Sequence, residues 1–436
     1  MKKIITSLAL VLALVQAASA QTDASVSMGG SYANNVWYSF ENGIVGSTQA
    51  ANNWDIALAA TFSPTSSLAT SVLFNYKVGT LFIAPVALTP VDDFDDLDTN
   101  GMANTWQKLY NDDRDWASGA FNQTATGHPD YGWGTYDPGH TGLTARRIFV
   151  IRYTDGSAKK LTIALSFVTG SYTIKYDKLD GSAPQTATVL ISNYSTKNFV
   201  YYSLTNNTII DREPASSTWD MVFTQYISTS ELYKTSPSTP GLGAPNQPVG
   251  GILLNNGLEA AQVNDVADRT TFTDYASQTF STDINIIGWD WKYLNASFQW
   301  KVVSDSIYFV KLANDDIYKL YFTSFGGTST GTFNFTQEKL STVTGVFGEA
   351  SDKASLSVYP NPTASGHATV LYDFSNSNNA VLTVSDLTGN VVYSENIPSA
   401  SGLNAYTFST SSLKTGLYIV SLSANGGVLQ QKLMVK

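Results

Sequence analysis

Residues 147–176 contain three short segments in which apolar and polar side chains alternate: RIFVIRY at Arg147–Tyr153, LTIALSF at Leu161–Phe167 and YTIKY at Tyr172–Tyr176. Each segment is rich in β-branched or aromatic residues, and alternation of this kind places one set of side chains on each face of a strand. Asp155-Gly156 separates the first two segments, and such a pair is typical of a hairpin turn because glycine tolerates a positive φ. The stretch predicts antiparallel strands joined by short turns, and similar segments recur along the chain.

The composition excludes several classes of protein. The 436 residues carry a formal net charge of -10, and only 14% are Asp, Glu, Lys or Arg. Such a surface repels phosphate groups, so we expect no nucleic acid partner. The chain has no cysteine, which excludes disulfides and a lipid-modified cysteine. Abundant aromatic residues beside many threonines and serines are typical of an extracellular all-β protein.

The start of the chain has the pattern of a secretory signal peptide. Lys2 and Lys3 precede an apolar segment that ends at Val15, and Ala18-Ser-Ala20 supplies small residues for cleavage. This segment is too short for a stable membrane span, and no later segment offers about 18 unbroken apolar residues. We therefore predict a signal peptide at residues 1–20 and no transmembrane segment.

An internal repeat organises the middle of the chain. Val36-Trp-Tyr-Ser39 precedes Trp54-Asp55, and Val200-Tyr-Tyr-Ser203 precedes Trp219-Asp220 at a similar gap. Further matches follow in the same order: Gly132-Trp133 with Gly288-Trp289, Ile148–Arg152 with Ile307–Lys311, and Lys160-Leu161 with Lys319-Leu320. We interpret residues 36–180 and 199–342 as two copies of one β module, which pack together or lie side by side as related domains.

Residues 355–436 form a further unit of short alternating strands, which predicts a small β-sandwich. Four motifs occur in order: Tyr359-Pro-Asn-Pro362, Asp386-Leu-Thr-Gly389, Gly416-Leu-Tyr418 and a Lys432–Lys436 ending. Together they closely resemble the type A sorting domain of the type IX secretion system. The resemblance implies an immunoglobulin-like β-sandwich that contacts the type IX machinery, and export across the outer membrane of a Bacteroidota-type bacterium. It also implies removal of the domain and a mature protein that is secreted or attached to the outer cell surface.

The two copies resemble the HmuY-like family of secreted or surface-anchored haem-binding β proteins. The matching stretches are Trp54-Asp-Ile-Ala57, Trp133-Gly-Thr-Tyr136-Asp-Pro138 with His140, Arg147–Arg152 and Gly170–Tyr176. The resemblance covers most of the first copy and, more loosely, the second. It implies an all-β chain with two related antiparallel HmuY-like modules, at 21–198 and 199–344. A linker at 345–354 and the sorting domain at 355–436 follow them.

Two of the three histidines, His128 and His140, flank a loop rich in glycine and aromatic residues. Haem iron takes axial ligands such as imidazole within an apolar and aromatic pocket. The resemblance also places a histidine at His140, so we predict that this residue approaches a haem iron. His128 and Met102 are further axial candidates, and Trp133 and Tyr136 are candidate pocket walls. The alternative is a solvent-facing loop in which His140 caps a turn.

The acidic segment that begins at Asp92 contains a second candidate site. Asp96, Asp98 and Asn100, followed by Gly101, fit the opening of an oxygen-rich calcium loop. Gln107 stands where such a loop normally has a bidentate glutamate. We predict calcium binding at these three residues, with a solvated acidic loop as the alternative.

The chain shows no pattern that predicts catalysis. Asp55 and Asp220 follow tryptophans at equivalent points of the repeat, so we interpret them as hydrogen-bonding anchors rather than as an acid and base pair. We therefore expect no enzyme but a binding protein with a small-molecule ligand, haem being the first candidate. The alternative is a surface adhesin or glycan-binding protein without haem, with sugars stacked on Trp289-Asp-Trp291-Lys-Tyr293. Alternation favours a sheet core as the place of these tryptophans.

Overall fold

The computed structural model of the protein describes residues 21–63, 65–90, 92–139, 141–228, 246–341, 354–364, 366–374, 379–386, 389–398, 403–424 and 427–436. The predicted signal peptide, His140 and the predicted linker up to residue 353 lie outside the described residues. The chain divides into two compact units, Met1–Ser341 and Thr342–Lys436. Each unit is treated separately below.

Strands dominate both units, which confirms the all-β prediction: 49% of the structure is strand and 6% is helix. The strands of the first unit are β1 (Thr22–Ser27), β2 (Asn34–Ser39), β3 (Gly43–Ala50), β4 (Ile56–Ala59), β5 (Val72–Phe74), β6 (Gly79–Ile83), β7 (Gln107–Leu109), β8 (Gly134–Tyr136), β9 (Gly142–Ala145), β10 (Phe149–Tyr153), β11 (Ala158–Ser166), β12 (Ser171–Lys178), β13 (Gln185–Leu190), β14 (Phe199–Ser203), β15 (Thr208–Ile210), β16 (Met221–Ser228), β17 (Gln247–Leu254), β18 (Glu259–Val263), β19 (Lys292–Leu294), β20 (Trp300–Val302), β21 (Ile307–Lys311), β22 (Ile317–Phe325) and β23 (Thr332–Ser341). The helices of the described residues are α1 (Met102–Thr105), α2 (Gly327–Thr330) and 3-10 segments at Gly30–Tyr32, Ala120–Asn122, Ile191–Tyr194 and Ser216–Thr218. None of them has the length and hydrophobicity of a membrane span.

Four antiparallel sheets and the two-stranded sheet of β19 and β20 make up the described part of the first unit. Sheet I has the order β13-β12-β11-β10-β6-β7, with β8 and β9 attached at β11. Sheet II is β15-β14-β4-β5, sheet III is β17-β16-β2-β3, and sheet IV is β1-β23-β22-β21-β18. Side chains of sheets I and II share one hydrophobic core, and those of sheets III and IV share another.

The two copies of the repeat exchange strands. Sheet II joins β4 and β5 of the first copy to β14 and β15 of the second, and sheet III joins β2 and β3 to β16 and β17. Three further strands of each copy correspond, because β10–β12 and β21–β23 are neighbours in the same order in sheets I and IV. The predicted division at 198/199 falls inside this interleaved unit, and strands from both sides of it pair with each other.

The lysine of the repeated Lys-Leu pair makes the same kind of hydrogen bond in both copies. Lys160 in β11 and Lys319 in β22 each have 0% exposure. Lys160 Nζ donates to the carbonyl oxygen of Asp95 at 2.7 Å, and Lys319 Nζ donates to that of Thr270 at 3.0 Å. Each lysine thus binds a loop to the outer face of its sheet. The hydrogen bonds that the lysine forms there offset the free-energy cost of burying its charge.

The second unit consists of two antiparallel sheets around one core. Its strands are β24 (Ala354–Tyr359), β25 (His367–Phe374), β26 (Asn379–Asp386), β27 (Val391–Pro398), β28 (Leu403–Ser409), β29 (Gly416–Ala424) and β30 (Gly427–Val435). They form the sheets β24-β25-β28 and β27-β26-β29-β30, and apolar side chains of both sheets share a core. The immunoglobulin-like assignment stays a prediction.

Two of the sequence motifs of this unit contact each other. Asn361 Nδ2 donates to the carbonyl oxygen of Lys432 at 2.6 Å, and Asn361 Oδ1 accepts from the Met434 amide at 2.9 Å. Thr363 exchanges backbone hydrogen bonds with the same strand. The Tyr-Pro-Asn-Pro motif therefore forms hydrogen bonds with the backbone of the C-terminal strand.

Candidate functional site

Trp133, predicted as a wall of a haem pocket, is instead part of the core between sheets I and II. Its side chain has 0% exposure, its Nε1 donates to the Thr70 carbonyl oxygen at 2.8 Å, and its ring lies 5.9 Å from that of Tyr172. Gly132 before it has a φ of 86°, and a Cβ there would lie 2.6 Å from the Phe121 carbonyl oxygen. This glycine-tryptophan pair is scaffold, and Trp133 has no free face for a ligand.

Met102 lies on the other side of sheet I. It is buried with Phe94, Trp106 and Val150, whereas Trp133 packs on the face that bears Ile151. Neighbouring residues of a strand point to opposite faces, so sheet I separates Met102 from Trp133. The structure therefore does not bring these two predicted haem contacts together.

His128 and Tyr136 do lie together, where the exposed His128 contacts partly buried aromatic side chains. The ring centroids of His128 and Tyr136 are 5.1 Å apart, and His128 Nδ1 is 3.3 Å from Tyr131 Oη. Tyr136 packs against Phe167 at 5.9 Å, which stacks on Phe62 at 5.5 Å. We call His128, Tyr131, Tyr136, Phe167 and Phe62 the histidine patch.

The predicted calcium loop shows no cluster of ligands. Among the described residues, no group of three or more His, Asp or Glu side chains is arranged to hold a metal ion. Asp98 Oδ1 accepts a hydrogen bond from the Asn100 amide at 2.9 Å, which is the geometry of a turn. Asp96 and Asn100 are exposed. Calcium binding stays a prediction that this arrangement does not support.

Trp291, the proposed sugar platform, is a core residue. It is 1% exposed and stacks on Phe322 with ring centroids 3.6 Å apart. The neighbouring Lys292 is also buried, with Nζ donating to the Gly250 carbonyl oxygen at 2.6 Å. Burial lowers the pKa of Lys292 to about 7. A sugar has no access to the face of Trp291, so the predicted position of glycan binding is wrong.

A cleft between sheets II and III brings together residues that the sequence did not single out. Its walls are aromatic: Trp37 from β2, Tyr201 from β14, and Trp54, Tyr76 and Trp116 from loops. Trp37 and Tyr201 are equivalent in the two copies, so the cleft lies where the copies meet. Its cavity volume is about 100 Å³, which is room for several water molecules.

Arg212 is buried in the cleft wall with 4% exposure. Its guanidinium carbon lies 5.3 Å from the ring centroid of Tyr201, 5.6 Å from that of Trp37 and 5.7 Å from that of Trp54. Nη1 donates to Asn53 Oδ1 at 2.9 Å and Nη2 to Asn35 Oδ1 at 2.6 Å. Burial lowers the pKa of Arg212 to about 10.

Glu213 is buried beside it, with 2% exposure. Oε1 accepts from the Asn198 amide at 2.9 Å, and Oε2 accepts from Tyr201 Oη at 3.0 Å. Burial raises the pKa of Glu213 to about 7, although both hydrogen bonds oppose the shift. The carboxyl group is therefore held by the protein itself and changes charge near neutral pH.

Five residues that line the cleft have a buried side-chain donor without a partner. The atoms are Trp54 Nε1, Tyr76 Oη, Arg212 Nε, Trp219 Nε1 and Tyr226 Oη. They are half of the ten such atoms found in the described residues. Unpaired buried polar groups are costly and rare in folded proteins. Their concentration around one cleft indicates a site that receives hydrogen-bond acceptors.

The cleft continues outward into a wider depression of about 500 Å³. Phe74, Tyr76 and Tyr110 line both spaces. A ligand longer than one ring can therefore extend from the cleft over the surface.

Comparison with known proteins identifies the second unit. Residues 357–436 match the family described as the secretion system C-terminal sorting domain. The protein thus carries a type IX sorting domain that directs it to the cell surface or outside. No HmuY-like family match was found, and a search of curated proteins found no match.

Proposed function

We propose that the mature protein is a non-enzymatic binding protein that holds a sugar in the cleft. The observation that carries the proposal is the combination of aromatic walls with five unpaired donors. A pyranose presents an apolar face of C–H groups that packs on aromatic rings, and hydroxyl oxygens around its edge that accept hydrogen bonds. The outer depression provides room for a longer glycan.

Two of the three carboxyl groups that line the cleft, those of Glu213 and Asp113, favour binding over catalysis. Glu213 accepts from Asn198 and Tyr201, and Asp113 accepts from Ser228 and Asn285 at 3.3 and 3.1 Å. These groups are committed to structural hydrogen bonds, whereas general acid–base catalysis needs a carboxyl group that contacts the substrate.

A glycan panel tests this function. The chain from residue 21 to 436 is screened, and the best glycan is titrated by calorimetry against wild type and Trp54→Ala. We expect at least tenfold weaker binding by the variant, because it loses a stacking face and a donor. Phe298→Ala is the matched control, since this aromatic residue is 84% exposed and lies outside the cleft. Absence of binding to any glycan, or equal binding by Trp54→Ala, would contradict the proposal.

Haem binding is a second candidate function, and the histidine patch supports it. Here an exposed imidazole stands beside four aromatic side chains, which is the kind of surface that a porphyrin contacts. Haemin is titrated into the mature chain while the Soret band is recorded. A shift that His128→Ala or His140→Ala removes would support this function. An unchanged spectrum, or a shift that both variants retain, would exclude ligation by these histidines.

The HmuY-like kinship of the first unit is likewise our proposal, supported by the sequence stretches that carry the resemblance. We also propose that the sorting domain is removed during export. Deletion of residues 357–436 should leave the protein inside the cell envelope, as measured by cell fractionation and immunoblotting. Normal export of the truncated chain would contradict the role of this domain.

A further inference from the structure

Arg212 is a buried cation that forms no direct ion pair with any described residue. Its two terminal nitrogens donate to the neutral amide oxygens of Asn53 and Asn35. Its Nε is buried and has no acceptor. A buried charge is normally paired, because the loss of hydration is otherwise uncompensated.

The adjacent Glu213 interacts with Arg212 electrostatically but forms no direct ion pair with it. Its two oxygens are held by Asn198 and Tyr201, and burial favours its neutral form. The three rings around the guanidinium of Arg212 contribute cation–π attraction, but a ring supplies no acceptor in the plane of Nε. The cation is therefore held in position by amides and rings while one donor stays unused.

We propose that the sugar bound in the cleft is acidic, and that its carboxylate accepts hydrogen bonds from Arg212 Nε and Trp54 Nε1. This inference rests on the proposed function and names the ligand class of the same site. Both donors belong to residues that line the cleft, and the ring of Trp54 lies 5.7 Å from the guanidinium carbon. A carboxylate has two oxygens and can accept from both donors, and its negative charge compensates the buried guanidinium, which a neutral hydroxyl cannot do.

A matched pair of ligands tests the inference. Tetragalacturonate and its carboxyl-reduced counterpart share the same rings and linkages, but only the first carries carboxylates. Both are titrated into the mature chain by calorimetry. We expect the acidic form to bind at least tenfold more tightly, and we expect Arg212→Gln to reduce this preference to less than twofold.

Arg269→Gln is the control variant. Arg269 is also partly buried over an aromatic ring, 4.8 Å from the ring centroid of Tyr321, but it lies outside the cleft. This variant should keep the preference for the acidic form. If Arg212→Gln does not fold, Trp54→Phe is the second test, because it removes Nε1 and keeps an aromatic ring. It should weaken binding of the acidic form severalfold more than binding of the reduced form.

The outcomes separate this inference from the proposed function. Equal binding of the two forms by wild type would overturn the acidic ligand and leave sugar binding in place. A preference retained by both Arg212→Gln and Trp54→Phe would overturn the assigned donors. If neither form binds and the glycan panel is also negative, both proposals fail.

Discussion

Asp55 and Asp220 make the same hydrogen bonds at equivalent points of the two copies. Asp55 Oδ2 accepts from the Leu204 amide and Asp220 Oδ2 from the Phe40 amide, each at 2.7 Å. Their own amides donate to carbonyl oxygens of the strands before those residues. Each carboxylate thus ties one copy of the repeat to the other, which confirms the interpretation of these residues as anchors.

Removing either anchor should destabilise the protein by a similar amount. Asp55→Ala and Asp220→Ala each leave a backbone amide without its acceptor, so we expect a loss of about 2 kcal/mol in the free energy of unfolding. Urea unfolding measures it, with Asp55→Asn as the control that retains an acceptor oxygen. A loss below about 0.5 kcal/mol for both alanine variants would show that the anchors are dispensable.

The stability of the first unit should depend on pH through Glu213. Its pKa is about 7 in the folded protein and 4.5 for the ordinary side chain, so the folded state binds more protons between these values. Stability should therefore fall as pH rises from about 4.5 to 7, by at most roughly 3 kcal/mol. Glu213→Gln should lack this part of the pH dependence in urea unfolding at pH 5 and 7.5. Identical pH dependence in wild type and variant would refute the role of Glu213.

At the scale of elements, the alternation of apolar and polar residues predicted the strands well. It predicted poorly what the side chains of each strand would contact. The three opening segments correspond to β10, β11 and β12, and Asp155-Gly156 is their first turn. The same alternation favoured a core position for Trp291, which is 1% exposed, but it left a sugar platform open because the two have the same sequence pattern. Arg212 gave no signal either, since the strands and loops around it come from both copies.

The hairpin of β19 and β20 carries a strained residue. Phe298 at its turn has a φ of 56° and is 84% exposed, so it occupies the left-handed region without evident compensation from burial. Phe298→Gly should raise the free energy of unfolding by about 1 kcal/mol, because glycine adopts this conformation without the Cβ clash. Thermal unfolding measures the change, and Ser297→Gly at the neighbouring position is the control that should bring no such gain. A lower stability for Phe298→Gly would show that the phenylalanine side chain contributes contacts of its own.

At the scale of the whole molecule, the repeat was visible in the sequence but the exchange of strands was not. Matching motifs reveal that two segments share a pattern, whereas sheet order depends on pairing between residues far apart in the chain. The cleft was hidden for the same reason, because it exists only where sheets II and III face each other. The sorting domain could be recognised since its motifs lie within one short segment.

Interleaving makes a specific prediction about division of the chain. Residues 21–198 expressed alone should be insoluble or unfolded, because β2 to β5 lose their partner strands in sheets II and III. Co-expression with residues 199–341 should restore a soluble complex, measured by gel filtration and circular dichroism. The control is a chain that ends at Ser341, which keeps every pairing of the first unit. A folded, monomeric 21–198 fragment would contradict the exchange of strands.

The pairing of β1 with β23 has a consequence for the order of events during synthesis. Thr22 lies opposite Gln337 in sheet IV. The first strand to be synthesised therefore has no pairing partner until the last strand of its unit has been made. Until residue 341 has been translated, the edge of β1 is unpaired and open to aggregation. A chain that is made slowly therefore depends on being kept unfolded or shielded until its synthesis reaches β23, and early release would favour misfolding over function.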